Sequence, residues 1–113
     1  MNLKAAVIGP FVARVGEFSL HHPAYPSGRI DTRYVRVVLD DGGEREPIGR
    51  LQWGQTDPAD SRTIVRNYVA AWIARQDLFI VKSLERAPRD KPYMRELIER
   101  QRRVMRAWSR LGT

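Results

Sequence analysis

Hydrophobic periodicity changes once along this chain, at Thr56-Asp57-Pro58-Ala59-Asp60, and that change limits the fold more than any other feature. Upstream, apolar residues sit in short β-branched and aromatic runs separated by Gly, Pro and Asp. Downstream, they recur at helical spacing. A chain that places its strands first and its helices last is expected to be α+β, with an antiparallel sheet.

The first half contains three strand signals. Leu3 to Leu20 is rich in Val and Phe and is broken at Gly9-Pro10, which predicts one strand, kinked or split at the proline. The segment His21-His22-Pro23-Ala24-Tyr25-Pro26-Ser27-Gly28 cannot continue a central strand, because its two prolines lack ladder donors; a loop of about a dozen residues follows, long by ordinary standards. Arg33 to Leu39 alternates Val35, Val37 and Leu39 against Tyr34, Arg36 and Val38. Asp40-Asp41-Gly42-Gly43 supplies a hairpin turn. The return strand, from about Glu44 to Trp53, contains Pro47 and so belongs at an edge or carries a bulge.

In the second half, Asp57 as N-cap and Pro58 at the first helical position start a helix running to Gln76, with Asp60 near its positive end. Ile64, Val65, Tyr68, Val69, Ala71, Trp72 and Ile73 cover about half of its circumference, which calls for cover on two sides. Leu78 to Leu84 (LFIVKSL) is β-branched enough to form a strand or an extended connector, ended by Ala87-Pro88. The last helix starts near Asp90 or Pro92, with Met94, Leu97, Ile98, Met105, Trp108 and Leu111 as its apolar stripe. The expected fold is α+β: a small antiparallel sheet of three strands, with Leu78–Leu84 as a fourth, packed against two helices in the order β-β-β-α-(β)-α, as a single domain spanning residues 1–113.

Charge narrows the partner. The formal net charge is +7, and of the 20 basic residues only Lys4, Lys82 and Lys91 are lysine. Such a field concentrates polyanions. Arginine's planar fork pairs bidentately with phosphate and stacks on bases, although a GC-rich coding sequence produces the same bias. In the last helix Arg95, Arg102, Arg103, Arg106 and Arg110 share one face, diluted by Glu96 and by Glu99, which can pair with Arg102 and Arg103. On the sheet, Arg33, Arg36, Arg45 and Arg50 interleave with Tyr34 and Trp53, giving phosphate contacts beside stacking faces. These arginines, with Tyr25 of the proline-rich loop, are the candidate binding residues. The element order β-β-β-α over Arg33–Gln76 resembles that of the arm-binding domain of phage integrases, whose sheet enters the major groove; no sequence motif accompanies the likeness.

Catalytic and metal chemistry find little support. There is no cysteine, which excludes thiolate zinc sites and Cys nucleophiles. His21 and His22 are adjacent, so in an extended segment they point to opposite sides, and a loop histidine hydrogen-bonded locally is the plain reading. Glu17 with one histidine and an arginine clamp would suffice for RNA cleavage, but no spacing brings them together. Asp40-Asp41 and Gly42-Gly43 are turn chemistry, neither a metal set nor a phosphate loop. No cofactor, metal or catalytic residue is therefore expected. The run Leu3–Ile8 is too short for a membrane span or signal core, so a soluble, cytoplasmic protein is expected.

The expected function is that of a small basic, non-catalytic protein binding nucleic acid or a nucleoprotein complex through an arginine-rich face. The alternative is a protein-binding inhibitor or adaptor, docking through the His21–Thr32 loop and the last helix on an acidic protein surface. Small phage or mobile-element proteins that block host defence enzymes share this composition.

Overall fold

A computed structural model describes residues 8–54, 61–86 and 92–111. The architecture is α+β: four antiparallel strands, β1 (Phe11–Val15), β2 (Phe18–His21), β3 (Tyr34–Leu39) and β4 (Glu46–Gln52), precede two helices, α1 (Ser61–Arg86) and α2 (Pro92–Leu111). The strands lie in the order β1-β2-β3-β4, a meander in which each connection is local. By compactness the chain divides into two units, Met1–Val65 and Arg66–Thr113.

The fourth strand does not come from Leu78–Leu84. It arises because the expected N-terminal strand is a hairpin, with Val15 paired to Phe18 across Gly16-Glu17. Gly16 has φ 59°, and among the described residues no non-glycine has positive φ. A two-residue turn with positive φ at its first position alone matches the twist of the flanking strands and requires glycine there.

Cross-strand partners in an antiparallel pair project from the same face, so the register defines two faces. One carries Val15, Phe18, Leu20, Val35, Val37 and Leu39, all at most 1% exposed, and is the core of this unit. Ser61 and Val65, from the first turns of α1 in the same unit, are also buried. Pro47 behaves as its chemistry demands: β4 is an edge strand, and its register slips where Val37 pairs with Gly49 and Val38 with Pro47, leaving Ile48 as the extra residue of a bulge.

The segment between β2 and β3 is more ordered than a plain loop. Ala24 bridges Ile30, Tyr25 N donates to the Arg29 carbonyl (2.9 Å), and Gly28 N donates to that of Tyr25 (2.8 Å). Asp31 N donates to the Pro23 carbonyl at 3.0 Å. The result is a miniature hairpin tipped by Pro26 and Ser27.

In the second unit, α1 is longer than expected. It runs through Leu78–Leu84 without a break, because no Gly or Pro interrupts it before Pro88 and helix geometry lets Ile80 (8% exposed) continue the buried side of Val69 and Trp72. The opposite side keeps its apolar residues in water: Leu78, Phe79 and Val81 are all more than half exposed, and Ala71 is exposed too. On α2 the buried positions are Met94, Gln101, Val104 and Ala107. Leu97, Ile98, Trp108 and Leu111 flank them half-buried, whereas Met105, expected in the apolar stripe, is 43% exposed. The side chain of Gln101 donates a hydrogen bond to Asp77 of α1. The expected caps Asp57 and Asp90 lie outside the described residues; α2 begins at Pro92, as expected. No helix among the described residues is long and apolar enough to cross a membrane.

Candidate nucleic-acid interface

The second face of the sheet holds the polar residues. Phe11 pairs with His21, His21 with Arg36, and Arg36 with Arg50, so these four side chains form one row across all four strands. The neighbouring rows contribute Arg14, Ser19 and Val38 on one side and Tyr34 and Gln52 on the other.

His21 is the buried centre of the row, 3% exposed. Its Nδ1 lies 3.0 Å from the Gly9 carbonyl oxygen, and its Nε2 lies 2.9 Å from Ser19 Oγ and 3.3 Å from Arg45 Nη2. A carbonyl can only accept and a guanidinium can only donate. Nδ1 therefore carries the proton and Nε2 is bare, so the ring is neutral. Burial, with Arg45 close by, lowers its pKa below the ordinary histidine value. The Phe11 ring meets the imidazole edge-on at 5.7 Å and is itself 60% exposed on the edge strand. His22 points elsewhere, its Nδ1 donating to the Tyr34 carbonyl at 2.7 Å. The two histidines thus take separate structural hydrogen bonds, as their adjacency requires.

Arg36 and Arg50 are the unusual pair. Like charges directly opposite each other across an antiparallel ladder repel. Arg36 is half-buried, its Nε is buried with no hydrogen-bond partner, and burial together with Arg50 lowers its pKa, though a guanidinium remains charged at any ordinary pH. No carboxylate among the described residues pairs with either. Arg14 and Arg45 differ: both reach Asp40 Oδ2, at 2.9 and 3.7 Å.

Arg50 lies over the Tyr34 ring with its guanidinium carbon 4.4 Å from the centroid, and Arg33 lies 5.6 Å from the same ring. Arg33 is also clamped bidentately by Asp31, Nε to Oδ1 and Nη2 to Oδ2, each at 2.9 Å. That fork holds the Asp31 carboxyl down at about pKa 2 and raises that of Arg33. Arg29 caps Tyr25 at 4.9 Å. Residues Arg29 to Arg33 line an open depression of about 340 Å³. Four guanidiniums and two tyrosines are gathered around a single paired carboxylate, a surplus of positive charge beside aromatic faces.

The α2 stripe is in the other unit. Arg95, Arg102, Arg106 and Arg110 are exposed and Arg103 half-buried. Glu99, in the middle of the stripe, reaches Arg106 at 3.6 Å. This surface is solvated and already partly neutralised.

Of the residues expected to bind, Arg33, Arg36, Arg50 and Tyr25 therefore converge on one end of the sheet face, and the five α2 arginines form a second, separate surface. Tyr34, expected as a stacking face, joins them; Arg29 and Phe11 are additions. Phe11 reaches this face through the β1–β2 hairpin, which a single N-terminal strand does not provide. Among the described residues no group of three or more His, Asp or Glu side chains is arranged to hold a metal ion. No family model, curated protein or solved structure matches this chain.

Proposed function

We propose that this chain is a small, basic, non-catalytic protein that binds nucleic acid, alone or within a nucleoprotein complex, and that the sheet face built on Arg36 and Arg50 is its principal contact. The observation that carries the reading is the opposition of these two arginines in register with no described carboxylate between them. A fold gains nothing from two facing guanidiniums unless an anion completes them. Tyr34 and exposed Phe11 on the same face supply stacking surface for bases, and the α2 arginines add to the net positive charge.

The test is fluorescence anisotropy with labelled single-stranded and duplex oligonucleotides. Binding is expected at about 50 mM salt, with log K falling linearly against log salt. Arg50→Glu on the sheet should weaken it more than Arg102→Glu does on the helix. Absence of binding to every oligonucleotide at that salt would remove the reading.

A second reading, an inhibitor or adaptor docking on protein, draws on a different observation, the exposure of Leu78, Phe79 and Val81 along α1. It predicts a partner recovered from nuclease-treated lysate by the wild type and lost on Leu78→Asp with Val81→Asp. A partner indifferent to those changes would count against it.

A further inference from the structure

The row on the sheet also constrains what kind of phosphate it takes. We propose that Arg36 and Arg50 form a site for a terminal phosphate, the phosphomonoester end of a nucleic-acid strand, in preference to the phosphodiesters along it. This rests on the nucleic-acid reading above and adds the ligand's chemistry.

The first argument is charge. Arg36 and Arg50 stand opposite each other in register without a described counterion. A phosphodiester brings one negative charge, whereas a phosphomonoester carries about −1.5 to −2 at neutral pH and three acceptor oxygens. Only the second matches both arginines at once, with a fork of donors from each. The second argument is depth. Arg36 is half-buried and its Nε is shut off from water. A group that projects from the end of a strand reaches such a position more readily than a backbone phosphate held between two sugars. The third is the surround. Arg50 is already oriented on the Tyr34 ring, so one of the two cations is placed before a ligand arrives. His21, next in the row and neutral, adds no competing charge.

The experiment uses the full chain and three versions of one 12-nucleotide single strand, ending in a 5′-phosphate, a 3′-phosphate or hydroxyls at both ends, each labelled internally. One phosphorylated version is expected to bind about tenfold more tightly than the hydroxyl-ended strand, and the two arms identify which end. Arg36→Gln and Arg50→Gln should each weaken binding of all three strands and erase the preference, so that a given variant binds the phosphorylated and hydroxyl-ended strands alike. Arg50 is exposed, so its variant keeps the test valid should Arg36→Gln fail to fold. Equal affinity for all three strands would overturn the terminal-phosphate site and leave nucleic-acid binding standing. A preference that survives both substitutions would overturn its assignment to this row. Equal affinity for a short phosphoserine peptide would overturn the strand end as ligand, and no binding to any strand would remove both readings.

Discussion

Replacing Arg36 by Met should stabilise the protein while weakening its binding of oligonucleotides. Methionine keeps the unbranched stem that packs along the sheet and discards the charge. Relief of the like-charge pair with Arg50 is worth about 0.2–1 kcal/mol. Removing a buried Nε that has no partner removes a penalty of about 1–3 kcal/mol when such a group is wholly dry, and less here because the residue is only half-buried. Some packing of the half-buried side chain is lost in return. The balance is a gain of about 1 kcal/mol, equivalent to roughly 4 °C in Tm for a domain of this length. Urea denaturation followed by tryptophan fluorescence measures it as a higher midpoint at unchanged m. Arg36→Lys keeps the charge opposite Arg50 and should show no comparable gain. A midpoint for Arg36→Met at or below the wild-type value would mean that Arg36 contributes to folding as it stands. The argument that it is held at a cost for an anion would then be wrong.

Two further predictions concern the supports of the same face. A Cβ at Gly9 would overlap the His22 carbonyl oxygen and come within 3.0 Å of the Ala24 backbone nitrogen and Cβ, so Gly9→Ala should destabilise by about 1–3 kcal/mol by urea midpoint. Gly28→Ala, with φ 86° but open space around it, should cost only about 1 kcal/mol. His21 is held neutral with its pKa lowered by burial, so the unfolded chain binds its proton first. Its contribution is intact above the ordinary value of 6.5 and is lost as pH falls from there through the lowered native pKa. Urea midpoints at pH 7.5 and 5 should therefore differ by more in the wild type than in His21→Gln, which cannot titrate; equal differences would show that His21 is not the group responsible.

The elements that could be read from the residues are those with a local physical cause. Tyr34–Leu39 alternates cleanly, Asp40–Gly43 has turn chemistry, and Pro47 lacks a ladder donor; each appears where expected, the bulge included. The failures came where local and tertiary preferences diverge. Leu78–Leu84 has strand composition, but it follows an uninterrupted helical segment, and continuing that helix buries Ile80 beyond Trp72. β propensity is a preference for a half-buried pleated surface, and the fourth strand is supplied instead by the hairpin of Phe11–Val15 and Phe18–His21. The local cue for that hairpin is Gly16 followed by a polar residue, a weaker turn signal than Gly9-Pro10. Gly9 is needed for a different reason, close approach to His22 and Ala24.

The same divergence explains why the two arginine surfaces rank differently in sequence and in structure. Counting charge favours α2, where arginines are dense. Charge density on an exposed helix is inexpensive to maintain, because water and neighbours such as Glu99 screen it. The sheet face has fewer arginines, yet register sets Arg36 opposite Arg50, and Arg36 is half-buried with its Nε shut off from water. Residue spacing within one strand cannot reveal that conflict, since it depends on which residue of β4 meets Arg36 after the Ile48 bulge. With one residue more or fewer in the bulge, Gly49 or Leu51 would stand opposite, and no facing pair would exist. The bulge at Pro47–Gly49 is thus as much a part of the candidate site as the arginines it aligns.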